Sequence, residues 1–262
     1  VDHAISLPFA RTVLTPDTFR KNLGDDHYVF PGTKECAYLH PDVYEPDPTV
    51  RESLELDPDE PFAILRLNAF GSHHDVGKRG ITPERQRRLI EEVSEHATVL
   101  VSDESGENDL EGLPARPFTL DPARIHDALA EAALLIADTQ TMVTEAALLA
   151  TPAVRSNSFV GDDDMGNFVE LERHGLIFNE AEFDELLERA VALLLAEDVT
   201  EEWRRRRDEF LADRRNLTEL LVDVVTNEGR VEGIEAIRPY GRSAPAEPTR
   251  PIEPVEVPAR RE

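Results

Sequence analysis

The chain has 262 residues, and 54 Asp and Glu against 28 Lys and Arg leave a formal net charge of −26. That balance excludes a nucleic-acid-binding surface, which needs a basic stripe, and the single cysteine, Cys36, excludes an intrachain disulfide. No apolar run approaches the ~20 residues of a membrane-spanning helix, and the opening VDHAISLPFARTVLTP lacks the basic region and apolar core of a signal peptide, so a cytoplasmic protein is expected.

The basic residues are lopsided: Lys21, Lys34 and Lys78 are the lysines, and all the others are arginine. An acidic surface nearly free of lysine is the expectation for a protein working in concentrated salt. Screening there reaches only a few ångströms, and self-repulsion matters little. Cys36 is expected to be buried and inert.

Residues 1–56 read as strand and turn fragments, RTVLTP and HYVFPGTKECAYLHP, followed by PDPTV. They are Pro-rich and weakly periodic, and resemble the end of a domain and a crossover more than a start with its own core. From Pro61 the pattern becomes regular. FAILRL (62–67) is a short apolar run fit for a buried strand. A glycine-punctuated loop leads to Thr82, which caps the helix PERQRRLIEEVSEH with Pro83 at its first position. ATVLVSD (97–103) predicts a second strand and RPFTL a short third. Asp121 caps PARIHDALAEA, ALLIAD (133–138) is a strand, TMVTEAALLA a helix and TPAVRSN a strand.

GNFVELERH is then a helix stopped by Gly175, and GLIF a strand. Asn179 is placed as the cap of EAEFDELLERAVALLLAE, whose Phe183, Leu186, Leu187, Val191 and Leu194 share one face. A last helical stretch runs from TEEWRRRRDEF to about residue 227, with its arginines paired to neighbouring carboxylates. Residues 57–235 thus form one domain, and 236–262 a Pro-rich, disordered tail.

Strands alternating with helices predict βαβ units: an α/β fold whose parallel sheet is Rossmann-like with helices on both faces. Ligands bind such sheets beyond the carboxyl ends of the strands. Attention therefore falls on the loops 68–82, 102–116, 138–141 and 156–166.

In ADTQTMVTEAALLATPAV (137–154) a strand ends at Asp138 and a helix starts almost at once. The free amides of Thr139, Gln140 and Thr141 at a positive helix end make a phosphate site. Glu145, one turn in, can accept hydrogen bonds from a ribose diol. The competing reading is plain capping by Asp138 or Thr139, with Glu145 on a solvated face. The loop NAFGSHHDVGKRG (68–80) carries His73, His74 and Asp75. These read as a metal site only thinly, because adjacent histidines point apart and only Asp103 and His126 are conceivable partners. A ligand-facing loop, shaped by Gly71, Gly77 and Gly80, and a merely structural loop are the alternatives. No metal or cofactor is expected. Ser102, at the end of the second strand, is a further candidate contact. Arg66 and Arg155 sit at strand ends, where they can hold a phosphate or pair with carboxylates. No G-x-G-x-x-G, P-loop or G-x-S-x-G pattern is present.

DTQTMVTEAALLATPAV resembles the nucleotide-binding segment of GT-B-fold enzymes, the group of UDP-N-acetylglucosamine 2-epimerases and MurG-like glycosyltransferases. The resemblance implies that Thr139, Gln140 and Thr141 face a nucleotide diphosphate and Glu145 its ribose. Those enzymes carry serine and glycine in the turn where this chain has Thr-Gln-Thr. GTKECAYLHP (32–41), ILRLNAFGSHHDVGKRGI (64–81), ADTQTMVTEAALLATPAVRSNSFVG (137–161) and ELERHGLIF (170–178) occur in the order seen in the DUF354 family, which is similar to the GT-B group. The chain resembles an acidic, haloarchaeal-type member.

That resemblance implies the C-terminal half of a GT-B-type fold, with most of the N-terminal Rossmann-like domain lying before this region. It also implies a nucleotide-sugar small molecule as partner, in glycan or cell-surface polysaccharide synthesis. His73, His74 and Asp75 then turn toward the sugar, and a second copy or partner chain would complete the cleft. The rival expectation is a non-catalytic α/β module with a structural or regulatory role, favoured by side chains crowding the Thr-Gln-Thr turn.

Overall fold

A computed structural model of the chain describes residues 7–67, 81–103, 110–156 and 164–241. The N-terminal segment supplies β1 (Val13–Pro16), β2 (His27–Phe30), a single 3-10 turn at Lys34–Ala37 and the one-turn helix α1 (Val50–Ser53). Then follow β3 (Phe62–Leu67), α2 (Pro83–Ser94), β4 (Thr98–Asp103), β5 (Ala115–Pro117), α3 (Ile125–Glu131) and β6 (Leu134–Ala137). The chain continues with α4 (Thr141–Leu148), β7 (Ala153–Arg155), α5 (Gly166–Arg173), β8 (Ile177–Asn179), α6 (Phe183–Leu195), α7 (Val199–Leu211), α8 (Leu217–Thr226) and β9 (Arg238–Pro239).

Six of the strands form one sheet in the order β5-β4-β3-β6-β7-β8, every pair parallel. Such strands are covered on both faces, and their side chains accordingly read as unbroken apolar runs. In β3 every residue but Arg66 is buried, and in β6 all of Leu134–Ala137 are. The strand order reverses between β3 and β6, where Arg66 lies opposite Ala137. A crevice forms at the carboxyl ends of two strands that diverge in this way. The 138–141 turn leaves from that point.

The caps show why the helices start where they do. Thr82 accepts a hydrogen bond from the Arg85 amide, with Pro83 in the first position, where its missing N–H costs nothing. Asp121 accepts from the Ala123 amide and opens a 3-10 turn, Pro122–Arg124, that runs into α3. Gly175 takes φ 63° just beyond α5, a left-handed cap that a side chain would oppose. Two expectations are corrected. Asn179 does not cap α6: it ends β8, its side chain accepts from Arg155 Nε at 2.8 Å, and Glu182 holds the cap position. The last helical stretch is two helices, broken after Leu211 and restarted by Asn216, which accepts from the Thr218 amide. Three of the four arginines of α7 pair with neighbouring carboxylates, Arg205 with Glu202 and Glu209, Arg206 with Glu202 and Arg207 with Asp208, whereas Arg204 has no ion pair among the described residues.

The N-terminal segment has no separate core. Phe30, Cys36, Leu39, Val50 and Leu54 belong to the same buried cluster as the large sheet, and Cys36 is buried. β1 and β2 pair in parallel, and β9 joins β2 antiparallel from the far end of the chain. Thr12 Oγ1 donates to the Gly229 carbonyl and Thr218 Oγ1 to that of Ala37, so α8 and its exit hold this segment down. The segment expected to be a disordered tail begins with ordered structure: β9 lies in it, and Tyr240 stacks on His27 with ring centroids 4.5 Å apart. Residues 242–262 lie outside the described residues. No helix among the described residues is long and apolar enough to cross a membrane.

Candidate functional site

The carboxyl ends of β3, β4 and β6 lie side by side and bring three of the expected positions together. On β3 and β4, Arg66 pairs in register with Ser102, and its guanidinium donates to Ser102 Oγ at 2.6 Å. Ser102 is buried. On β6, the Asp138 amide donates to the Arg66 carbonyl, and Asp138 Oδ2 accepts from the Ile81 amide at 3.4 Å. Asp138 thereby ties Ile81, just before α2, to the turn after β6. His73, His74 and Asp75 themselves lie outside the described residues.

The turn leads straight into α4. Gln140 takes the cap position with φ −104° and ψ −57°, and its side chain makes no capping hydrogen bond. The first-turn amides, which have no intrahelical acceptor, are not satisfied by Asp138 or Thr139. Thr139 Oγ1 is buried and has no hydrogen-bond partner among the described residues, while Thr141 is exposed.

Glu145 departs from the solvated position that the simple reading gave it: it is 9% exposed. Its Oε1 accepts from Tyr38 Oη at 2.9 Å and pairs with His126 Nε2 at 3.2 Å. Oε2 is left without a partner among the described residues. Burial pushes its carboxyl pKa up, but the hydrogen bonds from His126 and Tyr38 outweigh burial and hold it below the usual glutamate value. Burial and the same carboxylate push the Tyr38 hydroxyl well above its ordinary range. The two partners are themselves braced. The Tyr38 and His126 rings are 5.5 Å apart, and Tyr44 meets His126 edge-on while donating to Asp127 at 2.5 Å. Arg124 then pairs with both Asp127 and Asp47.

Tyr38 and His126 were not assigned this role from the sequence. Tyr38 stands 107 residues from Glu145, and His126 read only as a conceivable metal partner, with Asp103, of His73, His74 and Asp75. Its ring faces Glu145 instead, and no group of three metal-ligating side chains occurs among the described residues. Arg155 likewise turns away from any ligand: fully buried, it pairs with Asp164 and lies over the Phe168 ring.

No family model and no curated protein matches the chain, but solved structures do. Spinosyn Forosaminyltransferase SpnP superposes with a TM-score of 0.56 at 12% identity, over 86% of this chain and 57% of that one. CalG4, the Calicheamicin Glycosyltransferase, gives 0.51 at 18% identity, over 85% and 53%. A putative UDP-N-acetylglucosamine 2-epimerase from Listeria monocytogenes gives 0.51 at 12%, over 76% and 53%. The fold is the Rossmann-like fold of GT-B glycosyltransferases. The chain spans just over half the length of each of these three structures. Within the GT-B sheet, Ser102, the 139–141 turn and Glu145 occupy the strand ends and helix start described above.

The pairing at Glu145 has a pH consequence. A folded-state pKa held below the unfolded value contributes stability that is present above the unfolded value, near pH ~4.3, and lost as pH falls through the lowered folded value. Wild type is therefore expected to lose more stability than Glu145→Gln in acid unfolding across that window. Identical acid limbs for the two proteins would show that the contacts to Tyr38 and His126 do not act on the charged carboxylate.

Proposed function

We propose that the chain is a nucleotide-sugar-binding protein of the glycosyltransferase or sugar 2-epimerase type, an acidic cytoplasmic member of the DUF354 group acting in glycan or cell-surface polysaccharide synthesis. The observation that carries this reading is the arrangement at the start of α4. A helix end whose cap residue, Gln140, makes no capping bond stands beside Thr139 Oγ1, a buried hydroxyl with no partner among the described residues. One turn on, Glu145 is gripped, among the described residues, through Oε1 alone. A diphosphate suits the helix end. A ribose diol suits the open carboxylate oxygen, since charge-assisted hydrogen bonds are the stronger kind. In this reading Thr139, Gln140 and Thr141 face the diphosphate, Glu145 the ribose, and Ser102, with Arg66 behind it, the neighbouring strand end. His73, His74 and Asp75 turn toward the sugar. The order of motifs and the excess of arginine over lysine support the family and its working medium.

Calorimetric titration of UDP, GDP, dTDP and CMP sugars into the chain in multimolar KCl tests the reading. One of them is expected to bind, and Glu145→Ala to weaken it about tenfold, the equivalent of ~1.4 kcal/mol. Binding that survives Glu145→Ala unchanged would remove the ribose assignment. Silence from all four nucleotides would favour the non-catalytic module.

A further inference from the structure

Glu145 and His126 meet at a single contact, Oε1 to Nε2 at 3.2 Å, and each keeps a second polar atom outside it. Tyr38 Oη also donates to Oε1, at 2.9 Å. Oε1 thus has two partners, whereas Glu145 Oε2 and His126 Nδ1 have none among the described residues. Neither open atom is among the enclosed polar atoms without a partner, and the side chains that carry them are 12% and 23% exposed. Tyr38, 39% exposed beside them, places this corner at the surface.

The contact decides what the two open atoms can do. An imidazole meets a carboxylate oxygen with an N–H, because its lone pair would be repelled. In neutral His126 the proton therefore sits on Nε2, and Nδ1 carries the lone pair. Glu145 is held in its charged form, so Oε2 also accepts. The Tyr38 hydroxyl proton is already committed to Oε1. Tyr44, edge-on to the His126 ring, has spent its own on Asp127. The corner thus offers two acceptors and no free donor. A phosphate, itself an acceptor, has nothing to bind here, whereas a ligand with two neighbouring hydroxyl donors does.

Covalent structure bounds the spacing. Nδ1 lies across one imidazole ring from the 3.2 Å contact, and Oε2 across one carboxylate. Two adjacent hydroxyls on one sugar ring, each making a hydrogen bond of ordinary length, span such a pair.

We propose that His126 is a specificity-determining residue: a ribose diol divides between the two acceptors, one hydroxyl donating to Glu145 Oε2 and the other to His126 Nδ1, so that ribonucleotides are selected over deoxyribonucleotides. The inference rests on the nucleotide reading above and adds to it a second contact and a selection. A site built to hydrogen-bond a hydroxyl rejects the analogue that lacks it, since its own acceptor is then left unpaired.

The test is calorimetric titration of UDP, GDP and CMP, each with its 2′-deoxy and 3′-deoxy forms, into the full 262-residue chain. In wild type the parent ribonucleotide is expected to bind at least about tenfold more tightly than either deoxy form. His126→Gln keeps an N–H for Glu145 Oε1 and removes the Nδ1 acceptor. In that variant one of the two deoxy forms is expected to bind as tightly as its parent, because the missing hydroxyl no longer has a partner to lose. His126→Phe keeps the ring against Tyr38 and Tyr44 and is expected to lose the same discrimination. The ratios are taken within one protein, so a general weakening of the fold cancels from them. If both variants still reject both deoxy forms by the wild-type factors, the role of His126 is overturned and the nucleotide reading stands. If wild type binds a deoxy form as tightly as its parent, the divided diol is overturned. If none of the three ribonucleotides binds wild type, the nucleotide reading falls and this inference with it.

Discussion

Arg155→Ala is expected to lower the unfolding free energy by about 3–5 kcal/mol, the cost of breaking a buried ion pair from one side. Arg155 is 0% exposed at the end of β7. Its Nη2 pairs with Asp164, its Nε donates to Asn179 at 2.8 Å, and its guanidinium lies 3.8 Å from the Phe168 ring centroid. Truncation would leave Asp164, itself 7% exposed, as an uncompensated buried carboxylate. It would also empty the space over Phe168. Burial pulls the Arg155 pKa down while Asp164 opposes that shift, and a guanidinium stays charged regardless. Urea unfolding checks the prediction. A loss within the ~0.5 kcal/mol of an ordinary surface substitution would show that the pair does not carry the β7–α5 connection.

A second large effect is expected at Gly166. Glycine at the start of a helix is normally a candidate for improvement, since alanine is favoured there by up to ~1 kcal/mol. Here the sign reverses. A Cβ on Gly166 would run into the Thr18 carbonyl oxygen, a backbone atom that no side-chain rotation can move aside. Gly166→Ala is therefore expected to destabilise by about 1–3 kcal/mol, the usual cost of overpacking. The strain should concentrate where the segment after β1 meets α5. Hydrogen exchange should quicken at Asp17–Arg20 before it does so in β3 or β6. A variant as stable as wild type would mean that the segment gives way without resistance.

The core strands and most helix starts were legible in the sequence, because each is set by neighbours in the chain. The apolar run of β3 and the Thr82–Pro83 start of α2 are local patterns, and they appear where they were read. Asn179 was misread for the same local reason. A polar residue before an acidic helix looks like a cap, but its amide oxygen is claimed by Arg155 across the sheet. The break between α7 and α8 was missed because the charged stretch before Asn216 is compatible with helix throughout. The break comes where Arg214 turns in to pair with Glu170 and Asn216 restarts the chain.

The candidate site divides in the same way. Which turn lies at the carboxyl end of β6, and that Glu145 sits one turn into the next helix, follow from the order of residues alone. That Glu145 is buried and charged, held by Tyr38 and His126 through one oxygen, depends on segments far apart in sequence meeting over α4. A cavity at Asp17 and Glu170 is more distant still, since its walls come from the segment after β1, from α5 and from the residue after β9. Periodicity and capping are properties of adjacent residues and so survive in one dimension. Burial, pairing and unmatched charge are properties of what folding places nearby, and only the tertiary structure decides them.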